Sequence, residues 1–180
     1  SLGYGGFGAN IWANYDLDQN DLNETDITLS YAFDAGENLG LEIGHIYYAL
    51  EGTDTRELYL AAAASAPLSP SLTVYWDFDE GDGAFLEASI GHAVPFNEIS
   101  VDLGASLSYN LSSKFSIGDY DGLHNAVLSA ALAIPLQDDV TIAPMVAYSF
   151  ALSDDAENAI ESLSGDDDFF YGGVTASLAF

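Results

Sequence analysis

Three histidines, His45, His92 and His124, are the residues of this chain best suited to general-base chemistry near neutral pH. To activate a nucleophile, one of them would have to stand beside a serine or be oriented by an acid. In an alternating strand His45 shares its parity with Ile43 and His92 with Ile90, which turns both rings onto an apolar face. Ile46, Tyr48 and Leu50 are apolar too, so a β-bulge near Gly44 is the one device that would turn His45 round. His124 stands beside Asn125 and close to Asp121 at the start of a strand. A hydrolase there would need further acids or hydroxyls to converge. The sequence holds no cysteine, which removes thiolate nucleophiles, zinc-thiolate sites and disulfides together. The expectation is a protein that is not an enzyme.

Metal chemistry has its own candidates. Asp16-Leu17-Asp18-Gln19-Asn20-Asp21 carries oxygen ligands at the alternate positions of a calcium loop, and Asp77-Phe78-Asp79-Glu80-Gly81-Asp82-Gly83 is similar. The first lacks the glycine and the distal glutamate of an EF-hand. Asp16, Asp18, Asn20, Asp79 and Asp82 are therefore expected at most to hold Ca2+ or Mg2+ at acidic loops, and no other cofactor is expected. Loss of stability or of bound lipid on EDTA titration is the expected sign of such an ion.

Charge narrows the partners. Against 29 acidic residues stand only Arg56 and Lys114, a formal net charge of −27. Nucleic acid is excluded as a partner, because nothing could replace the counterions on its phosphates. A basic membrane-surface patch is excluded for the same reason. Such acidity often accompanies disorder, yet the mean hydropathy is +0.14 and the chain has 11 Tyr and 10 Phe. This chain folds, and its 180 residues suit one domain, 1–180. No apolar run is long enough for a membrane-spanning helix, and the first residues do not read as a signal peptide.

The elements that must carry these residues are strands. Period-2 alternation predicts ten, over 6–16, 25–34, 38–49, 57–66, 71–79, 84–94, 98–110, 124–135, 139–151 and 169–180. One surface helix is predicted, over 155–163. In the strand from Ile99, the residues Val101, Leu103, Leu107 and Tyr109 share one face, and Asp102, Gly104, Ser106, Ser108 and Asn110 share the other. A soluble sandwich would set a charged face against such an apolar one, whereas here the second face is Gly, Ala, Ser and Asn. A transmembrane antiparallel up-and-down β-barrel inverts the arrangement, with bulky apolar groups toward lipid and small polar groups toward the lumen. An all-β fold of that type is the expectation. Short turns at 35–38, 67–70, 95–98 and 136–139 alternate with outer connections at 17–24, 51–56, 80–83, 112–123 and 153–168, where most of the acids fall.

The last strand, Phe170-Tyr171-Gly172-Gly173-Val174-Thr175-Ala176-Ser177-Leu178-Ala179-Phe180, resembles the sorting signal of bacterial outer-membrane barrels, with Phe180 as its terminal aromatic. The segments GANIWANYDL (8–17), LEIGHIYYALEGTDTRELYLAAA (41–63), LSPSLTVYWDFDEGDGAFLEASIGHAVPF (68–96) and VDLGASLSYN (101–110) resemble the TorF-type porin family of Gram-negative bacteria. That resemblance implies a diffusion channel in the outer membrane and transfers no defined functional residues. Family members begin with a further strand that is absent here, and Ser1 to Gly6 reads as the tail of a preceding strand plus a tight turn. A full-length parent would then have twelve strands, of which ten are visible. The implied partners are outer-membrane lipid and lipopolysaccharide, the barrel-assembly machinery during insertion, small solutes, and a second copy or other envelope proteins. With so few basic residues, lipopolysaccharide phosphates would have to be bridged by divalent cations.

The lumen of such a barrel would be lined by Asn10, Trp12, Asn14, Ser30, Glu42, Tyr59, Tyr75, Asp77, Glu87, Ser89, Asp102, Ser106, Ser108 and Asn110, whose only charges are negative. A low-dielectric wall focuses that field, so the expected function is passive diffusion of small solutes with a preference for cations. The alternative is a non-conducting structural or surface-interaction barrel, closed by an interior side-chain network or by a loop plug; the long loop at 153–168 is the candidate plug, although its acidity suits a solvated position outside.

Overall fold

The computed structural model describes residues 1–115, 117–137 and 139–179. Phe180, the expected sorting residue, lies outside them. The chain forms an antiparallel, up-and-down sheet of eleven strands whose spatial order is their sequence order. These are β1 (Leu2–Tyr4), β2 (Phe7–Asp16), β3 (Asp21–Asp34), β4 (Leu39–Leu50), β5 (Thr55–Ala64) and β6 (Ser71–Asp77). They continue as β7 (Gly83–Phe96), β8 (Ile99–Leu111), β9 (Asp121–Gln137), β10 (Val140–Ala151) and β11 (Asp168–Leu178). β1 and β11 are the edge strands.

All ten expected strands are present, and the eleventh is the stub before the Gly5-Gly6 turn, where both glycines take positive φ (57° and 87°). Two connections differ from expectation, the first tighter and the second a little longer. β3 starts at Asp21 rather than 25, because the Asp16 carboxylate accepts the N–H groups of Asp18 (2.8 Å) and Gln19 (3.0 Å) and folds the chain back within four residues. β6 ends at Asp77 rather than 79, because the Asp77 carboxylate takes the Asp79 N–H (2.9 Å) and draws the chain out of the ladder. The expected contrast between short and long connections therefore holds for 112–120 and for 152–167 but not for the first two outer turns.

Helix α1 (Asp154–Ser164) fills most of the longest connection. Ser153 caps it by accepting the Ala156 N–H (3.2 Å), three acids occupy the first turn, and Gly165 closes it in the left-handed conformation at φ 89°. Among the described residues, no helix is long and apolar enough to cross a membrane.

Among the described residues, the buried apolar side chains are Tyr59, Ala147, Ala156 and Ile160. The large apolar residues instead stand exposed on one face of the sheet: Ile11 is 72% exposed and Ile43 51%. In register across β3, β4, β5 and β6, Leu29 lies beside His45, Leu58 and Trp76, and Tyr31 beside Ile43, Leu60 and Val74. Across these four strands this is a continuous apolar layer. The opposite face carries the smaller, polar and less exposed residues.

The chain divides into two compact units, one of Ser1–Ser65, Ser71–Leu86 and Asn110–Asp121, the other of Ala66–Pro70, Glu87–Tyr109 and Gly122–Phe180. In the first, Ser30, Gly44, Tyr59 and Tyr75 form one row across β3 to β6 on the polar face. A Cβ on Gly44 would fall 2.3 Å from the Tyr59 ring, so the missing side chain is the slot in which that ring lies. In the second, Asn125 of β9 joins Ser108 of β8 to Ser149 of β10: it accepts the Ser108 hydroxyl and donates to Ser149 Oγ (2.9 Å).

Candidate functional site

In the first unit, residues of the polar face surround a cavity of about 380 Å³. One wall is built from strand residues that alternate inward: Glu24 of β3, Ile46, Tyr48 and Leu50 of β4, Thr55 and Glu57 of β5, and Tyr75 and Asp77 of β6. Phe85 of β7 closes one side. The other wall is the 112–120 connection, which turns Phe115 and Ile117 against the strands.

That connection is fastened at several points. Asn110, whose side chain is wholly buried, donates to the carbonyls of Gly118 (2.7 Å) and Tyr120 (2.9 Å) and accepts the Ser113 N–H (3.0 Å). The Lys114 N–H donates to Gly81 O (3.0 Å), and Ser112 bridges to Ala84. A Cβ on Gly83 would lie 2.2 Å from the Ser112 carbonyl oxygen, so the loop backbone rests directly on glycine.

Two of the cavity's three carboxylates, Glu57 and Asp77, are held by hydroxyls. The Tyr48 hydroxyl donates to Glu57 (2.7 Å), and the Thr55 hydroxyl donates to Asp77 (2.8 Å). Asp26 lies opposite Tyr48 in the β3–β4 ladder, and its Oδ1 is buried without a hydrogen-bond partner. Arg56 points to the other face, where it pairs with Asp79 (2.9 Å) over the Tyr47 ring, the one salt bridge among the described residues. Among the described residues, the cavity thus concentrates negative charge with no basic side chain paired to it.

Of the residues expected to line a lumen, Asn10, Trp12, Asn14, Ser30, Glu42, Tyr59, Tyr75 and Asp77 share the polar face of the first unit. Tyr59 donates its hydroxyl to Glu42, Asn14 donates to Asn23 (2.7 Å), and Trp12 stays half exposed opposite Asp26. Asn110 is fully engaged with the 112–120 connection. Glu87, Ser89, Asp102, Ser106 and Ser108 are the less exposed members of the alternation in β7 and β8 of the second unit, where Ser100 donates to Asp102 (2.5 Å). Glu24, Glu57, Tyr48, Phe115 and Ile117 escaped the sequence reading. Parity with Ser30 or Tyr59 was the signal available for the two glutamates.

The expected cation ligands are dispersed. The Asp16 carboxylate is occupied by Asp18, Gln19 and the Gln19 side-chain amide, and Asp79 is paired with Arg56. Asp18, Asn20 and Asp82 lie in turns, Asn20 and Asp82 with positive φ (56° and 44°). Among the described residues, no group of three or more histidines and carboxylates is placed to hold a metal ion. The β3–β4–β5 ladders run past Gly44 without a register shift, so His45 stays on the apolar face between Leu29 and Leu58, its ring 6.1 Å from Phe78. His92 is exposed between Ile90 and Val94 on the same parity. His124 lies within β9, and its carbonyl accepts the Leu152 N–H (2.9 Å). Set against family models and against curated proteins, the chain matches none.

Proposed function

We propose that this chain is an outer-membrane channel for passive diffusion of small solutes, of the kind the TorF-type resemblance implies, and not an enzyme. The observation that carries the reading is the inverted sheet: large apolar side chains are exposed on one face, and polar and acidic ones are gathered on the other. In water such a face would be a large adhesive patch. In a bilayer it is the surface that lipid requires, provided the free edges of β1 and β11 are closed, because an unpaired strand edge is not tolerated in hydrocarbon. The aromatics Tyr47, Trp76 and Phe78, with Arg56 over Tyr47, lie toward one end of the apolar layer, as an interfacial girdle would. The partners proposed are lipid, lipopolysaccharide and the assembly machinery, with Phe180 in the sorting strand, and divalent cations as the only ions at the acidic turns.

Conductance in a planar bilayer under a salt gradient tests this. Stable channels are expected, with a reversal potential on the cation side. Neutralising the interior acids together, as Glu42→Gln, Glu87→Gln and Asp102→Asn, is expected to lower the cation-to-anion permeability ratio by roughly threefold or more, as loss of wall charge does in charged pores. A folded, heat-modifiable protein that never conducts would overturn the channel and leave a structural barrel. That second reading is favoured by one observation, the 112–120 connection lying across the polar face.

A further inference from the structure

The cavity under the 112–120 connection has a chemical asymmetry that a plain water-filled passage does not need. On one side stand Glu24, Glu57 and Asp77, without a basic partner, and on the other Phe85, Phe115 and Ile117. Grouped carboxylates without counter-charge raise the free energy of the empty site, and a bound cation relieves it. Among the described residues, no three carboxylates are gathered into a chelating set that would cage a bare metal ion. A ligand that answers both walls has one positive centre and a compact apolar body. The tyrosine rings of Tyr48 and Tyr75 add π faces suited to an alkylated ammonium. The volume of about 380 Å³ falls in the range of small-molecule sites.

We propose that this cavity is a binding site for organic ammonium ions with an apolar body, with Glu57 and Asp77 as its charge-recognising residues and Phe115 as its apolar wall. The proposal rests on the channel reading only in making such cations the preferred solutes; binding itself is measured without conduction.

Isothermal titration calorimetry on the full chain in detergent micelles decides it, with benzyltrimethylammonium as the probe, benzyl alcohol as the uncharged control and Mg2+ as the inorganic one. One benzyltrimethylammonium per chain is expected, with both controls at least roughly tenfold weaker. Glu57→Gln with Asp77→Asn is expected to weaken the probe about tenfold, and Phe115→Ala severalfold. Should the double variant fail to fold, Glu24→Gln decides the charge requirement, since its carboxylate makes no hydrogen bond among the described residues. Benzyl alcohol binding as tightly as the cation would reduce the site to an apolar pocket, and Mg2+ displacing the probe at equal concentration would reduce it to an acidic surface. Either result, or unchanged affinity in the variants, overturns the proposal. A protein that conducts but does not bind the probe loses this site alone, and one that binds but does not conduct loses the channel alone.

Discussion

Replacing Ile43 with arginine is expected to destabilise the protein in lipid vesicles by about 2–4 kcal/mol, the cost of a cation near the middle of a lipid-facing strand. Ile43 lies in the interior of β4, 51% exposed, between Tyr31 and Leu60 in the neighbouring strands. If that face met water, the same change at an exposed position would stay within about 0.5 kcal/mol. Ala61→Lys is the matched control: Ala61 is on the polar face of β5, directly opposite Glu42, and a lysine there gains an acidic neighbour at an expected cost of no more than about 1 kcal/mol. Urea unfolding of both variants in phosphocholine vesicles, read by tryptophan fluorescence, measures the difference. Equal effects at the two positions would remove lipid from the apolar face and with it the reason to place this sheet in a membrane.

The strands were legible because their side chains obey one rule over long stretches. In β8, each odd-numbered residue from Leu103 to Leu111 except Ala105 is exposed, and its even-numbered neighbours are more sheltered. Such alternation survives errors of a residue or two at the ends, which is where the differences fell: Asp16 and Asp77 each used a carboxylate to turn the chain, and no hydrophobic period reports a side-chain hydrogen bond. The cavity was less legible for a related reason. Glu24 and Glu57 resemble rim acids in sequence, and only the register, with Glu24 opposite Leu50 and Glu57 opposite Asp77, brings them to one wall. β4 did carry a clue, since Ile46, Tyr48 and Leu50 are apolar on the face that should be polar. The explanation is the cover supplied by Phe115 and Ile117, from a connection without periodicity of its own.

Asn110→Asp is expected to release that cover. The side chain is buried and spends its amide on two carbonyls, those of Gly118 and Tyr120, and its oxygen on the Ser113 N–H. Aspartate keeps the size and the acceptor but loses both donors and sets a carboxylate against two carbonyl oxygens. Gly118 O and Tyr120 O keep the N–H groups of Tyr120 and Ser112, so the cost is the two lost hydrogen bonds, at about 1–1.5 kcal/mol each, and the repulsion between a buried carboxylate and two carbonyl oxygens; the loop should loosen by about 3 kcal/mol, roughly 100-fold in its opening equilibrium. The opening is local, because the ladders of β2 to β6 do not pass through Asn110. The absence of cysteine makes this measurable: in an Ile117→Cys background the introduced thiol is unique, and its labelling by a water-soluble maleimide reports exposure of the cavity wall. Labelling is expected to be slow with Asn110 present and roughly 100-fold faster in the Asn110→Asp variant, up to the intrinsic rate of the reagent. Under the channel reading the same variant should conduct more, since Phe115 and Ile117 leave the polar face. Unchanged labelling would mean that the contacts of Lys114 with Gly81 and of Ser112 with Ala84 hold the loop by themselves, so that Asn110 fills space rather than fastening the cover.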